Sequence, residues 1–391
     1  MRVADLRQRL RGLGAKPCHE DRMLRGWSQV ASYDRLHSPA QTFFPLALRN
    51  ELPAIEAELN GLARIHSVYT TDGHGSYDNS PSRSFPRDTG QATKFALHAS
   101  SNNDDVARLL VALFDGQMVE SVLLPRGGLC VSTQVGCAVG CVFCMSGRAG
   151  LLRQLGSAEI VAQVVLARKR RAVRKVVFMG MGEPAHNLDN VLEAIDLLGT
   201  QGNIGHKNLV LSTVGDLRVF ERLMARLTLT GTLPQPTADR SQGNRHKQSS
   251  IPVVTPALAL SLHTTNATLR AKLLPQAPSI AIEELIERAE TYARATAYPI
   301  QYQWTLIEGV NDSDTEVERI VQLLTGKYAV MNFIPFNEVD GLNFHRPSAK
   351  RTAQMVHALK QRGILAKIRD SAGQEIEGAC GQLRARVINA K

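Results

Sequence analysis

No run of about 18 apolar residues occurs in the 391-residue chain, which argues against a membrane-spanning helix. The opening segment, MRVADLRQRL, lacks the apolar stretch of a secretory signal, so the expected location is the cytoplasm. No motif repeats at a solenoid period. Cysteine is scarce, with six residues: Cys18, Cys130, Cys137, Cys141, Cys144 and Cys380. Three of them crowd into residues 137–144, which favours metal or catalytic thiols over structural bridges. Acidic residues are in the minority, 36 against 46 Lys and Arg, for a net charge of +10. That excess is consistent with a polyanionic partner such as nucleic acid but does not establish one. What is abundant is apolar: 43% of the chain is hydrophobic, enough for a large core and too much for wholesale disorder.

The length suits two or three domains, or one α/β barrel with additions. Residues 1–69 read as a helical accessory domain, with amphipathic helices over Val3–Leu10 and Leu52–Leu62. Residues 70–117 read as a linker and extension, polar and turn-rich over 70–91. Residues 118–385 alternate short β-type runs with helical ones. The strands are expected at Leu129–Val135, Lys175–Gly180, Asn208–Thr213, Ala257–His263, Pro299–Ile307, Val330–Phe336 and Ile364–Asp370. The helices between them are Ala158–Arg171, with Ser157 as N-cap, then Leu188–Leu198, Leu217–Leu227, Ile282–Ala295, Asp314–Leu324 and Ala349–Arg362. Such alternation implies parallel strands with right-handed crossovers. The fold class is therefore α/β, a partial (β/α)6-type barrel whose site lies at the C-terminal strand ends. Residues 231–254, polar and rich in Pro, Gly and Ser, read as an inserted loop, either a solvated insertion or an RNA contact.

The sharpest motif is Cys137-Ala-Val-Gly-Cys141-Val-Phe-Cys144, directly after an expected strand. Three thiolates on a glycine-containing loop suit three irons of a 4Fe–4S cluster and leave the fourth iron open. A zinc site calls for four ligands. The second motif, Phe178-Met-Gly-Met-Gly182-Glu183-Pro184, ends a strand: its glycines let backbone approach a ligand, and Glu183 offers a carboxylate to an ammonium group. Taken alone, Gly-Glu-Pro is also an ordinary turn. Ser212, Ser261-Leu262-His263 and Asn337 put polar groups at three more strand ends; each alone has a structural reading too. Cys130 and Cys380 stand apart, in GGLCVSTQVGC and ACGQL.

The Cys-x3-Cys-x2-Cys motif, followed by the Gly-Glu-Pro segment, resembles the radical S-adenosylmethionine (SAM) superfamily. The contexts of Cys130 and Cys380 narrow this to a family that methylates an amidine carbon of RNA adenine: the ribosomal and transfer RNA adenine C2 methyltransferases and the related C8 enzymes. The resemblance spans roughly residues 95 to 385. It implies a 4Fe–4S cluster on Cys137, Cys141 and Cys144, with two SAM molecules used per turnover. It implies SAM contacts from Gly182, Glu183, Ser212, Ser261, Leu262, His263 and Asn337. Cys380 would carry the methyl as S-methylcysteine, Cys130 would resolve the protein–RNA crosslink through a transient disulfide, and Glu120 would accept the proton. From the residues alone, Glu120 reads equally as an exposed strand glutamate.

The implied partners are ribosomal or transfer RNA and a reductant such as flavodoxin or ferredoxin. A monomer without membrane attachment is expected. RNA contacts are sought in the N-terminal basic helices and in Arg168-Lys-Arg-Arg171 with Arg174 and Lys175. That run also suits a plain solvated helix end. The other readings are a radical SAM enzyme with a non-RNA substrate, which needs neither Cys130 nor Cys380, and a non-catalytic iron–sulfur or zinc RNA-binding module.

Overall fold

The computed structural model describes residues 1–35, 38–70, 105–229, 253–339 and 341–384. The expected loops over 70–91 and 231–254 therefore lie almost entirely outside the described residues. In chain order the helices are α1 (Val3–Gly12), α2 (Pro17–Gln29), α3 (Ala40–Phe43), α4 (Leu46–Gly61), α5 (Ser157–Arg168), α6 (Leu188–Gly199), α7 (Leu217–Leu229), α8 (Ala267–Leu273), α9 (Ile282–Thr296), α10 (Asp314–Leu324) and α11 (Ala349–Gln361). The strands are β1 (Ala63–Thr70), β2 (Ala107–Leu113), β3 (Met118–Leu124), β4 (Gly128–Cys130), β5 (Gln134–Gly136), β6 (Leu151–Gln154), β7 (Lys175–Phe178), β8 (Leu209–Thr213), β9 (Ala257–Ser261), β10 (Ile300–Leu306), β11 (Ala329–Pro335) and β12 (Ala366–Ile368).

Ten strands form one sheet in the order β1-β2-β3-β4-β7-β8-β9-β10-β11-β12. From β4 to β12 every neighbouring pair is parallel, the signature of helix crossovers. The two ends of the sheet do not pair among the described residues, so the barrel is partial, as the sequence predicts. β8, LVLST, is buried at every position, as expected of a parallel strand covered on both faces.

The antiparallel end departs from expectation. Residues 1–69 are not helical throughout. After Gly61 the chain forms β1, whose apolar and polar residues alternate imperfectly around a register shift between Ile65 and Ser67. Its partner β2, inside the expected linker, is buried along its whole length. β1, β2 and β3 thus extend the barrel sheet by three antiparallel strands. α2 also goes beyond the sequence reading: Pro17 sits in its first turn, where a missing N–H costs nothing. At α5, Gly156 rather than Ser157 is the N-cap, and Glu159 closes the turn by accepting from the Gly156 N–H at 2.8 Å. Ser157 Oγ instead accepts from the Val3 N–H at 2.8 Å, pinning α1 to the barrel.

The expected strand Leu129–Val135 is broken in two. Val131 still bonds to the Val177 carbonyl, but the Ser132 N–H turns to Gln163 Oε1 at 2.9 Å, and those of Thr133 and Gln134 both turn to the Met181 carbonyl. The chain leaves the sheet there to wrap the loop after β7, then forms the short β5–β6 hairpin. That hairpin brackets the three-cysteine segment, with the Cys137 N–H donating to the Gly150 carbonyl at 3.0 Å.

Candidate active site

The loop after β7 is locked from beneath. Ser132 Oγ accepts from the Met181 N–H at 3.0 Å, and Gln134 Oε1 accepts from the Glu183 N–H at 2.7 Å. Gly182 adopts φ +102, and a Cβ there would stand 2.6 Å from the Gln134 side chain, so only glycine fits. The buried Glu183 carboxylate accepts from the N–H groups of Ala185 at 3.1 Å and Val214 at 3.0 Å. Burial pushes its pKa up to about 7, and its hydrogen bonds, first from Thr213, pull back.

Two adjoining cavities open here, of about 140 and about 290 Å³. The smaller is lined by Cys137, Cys141 and Cys144 together with Gly182, Glu183, Ser212, Ser261 and His263. The larger is lined by Cys130 and Cys380 with Arg126 and Arg369. Cys144, Met179, Gly180, Arg369 and Cys380 border both. Thus Cys380 stands at the junction, with the cysteine triplet on one side and Cys130 on the other.

The C-terminal loop carries Cys380 there by docking on the cysteine segment. Gly381 accepts at its carbonyl from the Met145 N–H at 2.7 Å, and Ser146 Oγ donates to the Leu383 carbonyl at 2.7 Å. At Gly381, φ +88, a Cβ would meet the Phe143 carbonyl at 3.0 Å. Asn337 Nδ2 donates to the Cys380 carbonyl at 2.9 Å and to Ser371 Oγ at 3.1 Å. Asn337 Oδ1 is buried without a partner among the described residues, and Asn337 is absent from the lining of both cavities, so its side chain holds the Cys380 loop rather than facing the space beside Glu183.

His263 has a left-handed backbone, φ +64, and its Nδ1 accepts from the Thr305 N–H at 2.9 Å. Burial, then Arg270, hold it neutral, with a pKa near 3. Its other ring nitrogen is therefore the protonated one. Leu262 is not on the cavity lining; its side chain belongs to the core. Glu120 is not on the lining either. Its buried carboxylate pairs with Arg108 at 2.9 Å and accepts from the Arg384 N–H at 3.1 Å. It is therefore not the exposed strand residue that the sequence left open.

Three cations of the basic run, Arg168, Lys169 and Arg171, are committed to structure. Arg168 donates to the carbonyls of Ser28 at 2.6 Å, Gly202 at 2.7 Å and Val173 at 3.3 Å. Arg171 donates to the carbonyls of Asp105 at 2.6 Å and Leu124 at 2.5 Å, and Lys169 to Asn60 at 3.1 Å.

Comparison with known proteins decides the family. Residues 131–234 match the Radical SAM superfamily. The chain is 58% identical to a probable RNA methyltransferase of Azoarcus sp. (strain BH72), over 99% of this chain and 95% of that one. A probable RNA methyltransferase of Pseudomonas aeruginosa (strain PAO1) is 55% identical, over 99% and 96%. The crystal structure of a radical SAM methyltransferase from Sphaerobacter thermophilus superposes with a TM-score of 0.73 at 32% identity, over 98% of each chain. The chain belongs to the radical SAM methyltransferase family.

A radical SAM methyltransferase needs a 4Fe–4S cluster and SAM, and the donor set fits both. Burial pushes the Cys137 thiol up to about 12 and raises Cys141 and Cys144, so this cavity favours thiolates only when metal holds them. No three His, Cys, Asp or Glu among the described residues converge tightly enough for a single metal ion. A cluster takes one thiolate per iron corner and wants the thiols spread around a cavity. Arg270 adds a buried counter-charge. Its guanidinium reaches only the carbonyls of Val214 and Ser261, its Nε is unpartnered among the described residues, and it feels the charges of Cys141 and Glu183. Sequence reading gave no role to Arg270, Arg369, Ser132 and Gln134, although Ser132 and Gln134 lie inside the GGLCVSTQVGC context of Cys130.

Proposed function

We propose that this enzyme methylates an adenine amidine carbon, C2 rather than C8, in ribosomal or transfer RNA. The observation that carries this reading is the placement of Cys380 between the three-cysteine cavity and Cys130. A radical SAM enzyme acting without a methylated cysteine has no use for a thiol pair across that junction. Its relatives in Azoarcus and Pseudomonas are named probable RNA methyltransferases, which supports it.

The cluster and SAM, when bound, supply a 5′-deoxyadenosyl radical, the chemistry the protein itself lacks. Cys137, Cys141 and Cys144 would hold the cluster. Glu183 would receive the SAM ammonium, with Gly182, Ser212, Ser261, the Leu262 backbone and His263 completing its contacts. Cys380 would carry a methyl group drawn from SAM, held where the radical chemistry supplied by the bound group can reach it, with two SAM molecules used per turnover. The Cys380-bound carbon would then join the adenine ring, with one electron passing back to the cluster that supplied it and the ring proton lost, since an electrophilic carbon cannot attack an ordinary sulfonium methyl. Cys130 would attack the Cys380 sulfur, displacing the product carbon, which takes up a proton, and forming a disulfide that an external reductant must reopen. Burial, then Cys380, push Cys130 up to about 12, and Arg369 works the other way. Proton removal falls to Glu120, whose carboxylate must part from Arg108 to reach a ring carbon.

The test uses anaerobically reconstituted enzyme, SAM, a reductant and unmodified ribosomal and transfer RNA. Digested RNA is read by mass spectrometry for 2-methyladenosine and 8-methyladenosine. The expected product is 2-methyladenosine, absent with Cys380→Ser. Cys130→Ser should leave a protein–RNA crosslink in its place. SAM cleavage without either methyladenosine would overturn the RNA reading and leave the family intact.

A further inference from the structure

The loop that carries Cys380 has little regular structure to fix it. Among the described residues after β12, only Gln374–Ile376 forms a short helical turn. Contacts must therefore set its position, and two of them reach the antiparallel end of the sheet from either side of Cys380. Before the thiol, the Glu377 carboxylate accepts from Arg108 at 3.4 Å. After it, the Arg384 N–H donates to Glu120 at 3.1 Å, and the Arg384 guanidinium returns to Glu377 at 3.2 Å. Arg108 itself donates to Glu120 at 2.9 Å. Arg108, Glu120, Arg384 and Glu377 thus close a ring of contacts across the base of the loop.

Arg108 is the centre of that ring. It lies on β2, facing Tyr69 of β1 in register, and its guanidinium stands 4.3 Å from the centre of the Tyr69 ring. Glu120 lies on β3 opposite Leu110, which puts it on the same sheet face as Arg108. Both side chains are buried, at 4% and 1% exposure, whereas Glu377 is 45% exposed. A buried ion pair adds little to stability over apolar residues of similar size, because both charges lose their water. Sheet stability therefore gives a weak reason for the pair, and its reach to the loop gives a stronger one. One Arg108 nitrogen serves both Glu120 and Glu377, and the second Glu120 oxygen serves the loop backbone at Arg384.

We propose that Arg108 is the positioning residue for Cys380: paired with Glu120, it clasps the loop on both flanks of the thiol and holds it at the junction of the two cavities. The proposal rests on the reading of Cys380 as the methyl carrier. Arg108 is absent from the lining of both cavities, so it acts through the loop alone. Loosening the clasp widens the range of positions open to the Cys380 sulfur and the carbon it would carry. A misplacement of about 1 Å can cost on the order of a hundredfold in rate. Cys137, Cys141, Cys144 and Glu183 keep their own contacts, so SAM cleavage is spared.

Two readouts on cluster-loaded enzyme test this. Without SAM or RNA, iodoacetamide labelling of Cys380 is followed by peptide mass spectrometry, with the exposed Cys18 as internal reference. Arg108→Met should speed Cys380 labelling about tenfold relative to Cys18, the effect of one or two lost charge-assisted hydrogen bonds. With SAM, reductant and RNA, the same variant should form 5′-deoxyadenosine as wild type does, yet yield about tenfold less methyladenosine for each one formed. Arg108→Lys, which keeps a cation for Glu120, should restore most of both. Arg108→Met removes a buried counter-charge, so thermal melting and cluster absorbance report whether it folds. Glu377→Gln loosens only the half-exposed loop side and should speed labelling about threefold, whether or not the methionine variant folds. Labelling at the wild-type rate in Glu377→Gln and in folded Arg108→Met would overturn the clasp and leave the pair a sheet contact. Faster labelling that Arg108→Lys does not reverse would also overturn it, as general loosening. A wild-type enzyme that makes no methyladenosine, with labelling as expected, would overturn the methyl-carrier reading and keep the clasp.

Discussion

Glu183 faces a conflict that its pKa makes measurable. Its cavity wall disfavours the ionised form, yet a SAM ammonium needs a carboxylate to meet it. With the pKa raised to about 7 by burial, the ligand-free enzyme holds Glu183 protonated on the acid side of neutrality. A carboxyl raised above its unfolded value favours the fold while protonated, so its contribution is lost as pH rises through about 7. SAM affinity has the opposite sign. It should fall by up to about tenfold per pH unit below about 7, because a proton must leave before the ammonium can pair. Calorimetric titration of cluster-loaded enzyme on both sides of neutrality checks this, and Glu183→Gln should bind weakly with no such slope. Glu183 was legible because acid, glycines and proline fall together after a strand. Its pKa was not legible, since it depends on Thr213, Ala185 and Val214, about two to thirty residues away in sequence. The thiols follow the same rule. Spacing reveals Cys137, Cys141 and Cys144 as a group, while the approach of Cys380 to Cys144 requires Gly381 against Phe143, which only the folded chain brings together.

At the scale of elements, α5 explains why the basic run did not read as structure. Its residues Ser157–Val165 are buried without exception, so the helix has no solvent face for periodicity to reveal. Helices from the N-terminal region cover its outer side, and Arg168 fastens the join through carbonyls on three separate segments. Sequence showed four cations at a helix end and suggested either solvent or phosphate. Neither reading could foresee carbonyl partners at Ser28 and Gly202. Arg168→Met removes the donors and leaves buried acceptors unpaired, which should cost about 2–3 kcal/mol. Arg168→Lys should recover only part of that, because one ammonium cannot reproduce the fork. Urea unfolding of both variants gives the comparison, and a loss below about 0.5 kcal/mol for Met would sink the fastening role. The parallel strands and their helices were legible to within a few residues, because each apolar run is bounded by a cap or a turn. The strand expected over Leu129–Val135 was not, since Thr133 and Gln134 abandon the sheet for a carbonyl some 48 residues ahead in sequence.

For the whole molecule, the division into an accessory domain and a barrel meets a physical objection. One hydrophobic cluster runs without a break from Val3, Leu6 and Leu10 through Trp27 and Leu48 to Leu129, Val176 and Leu383. A boundary between independently folding domains should cross few buried contacts. Here the helices before β1 cover α5, and β1 itself belongs to the barrel's own sheet. Removing residues 1–29 would uncover apolar surface on α5 as well as losing α1 and α2. The inference is that residues 1–69 and the barrel unfold as one cooperative unit. Scanning calorimetry of cluster-free protein should therefore give one transition, with calorimetric and van't Hoff enthalpies in agreement. Two resolved transitions, the first abolished by deleting residues 1–29, would instead establish an accessory domain that folds alone. Cluster-free protein is the right sample, because a bound cluster adds a separate, irreversible step that can imitate a second domain.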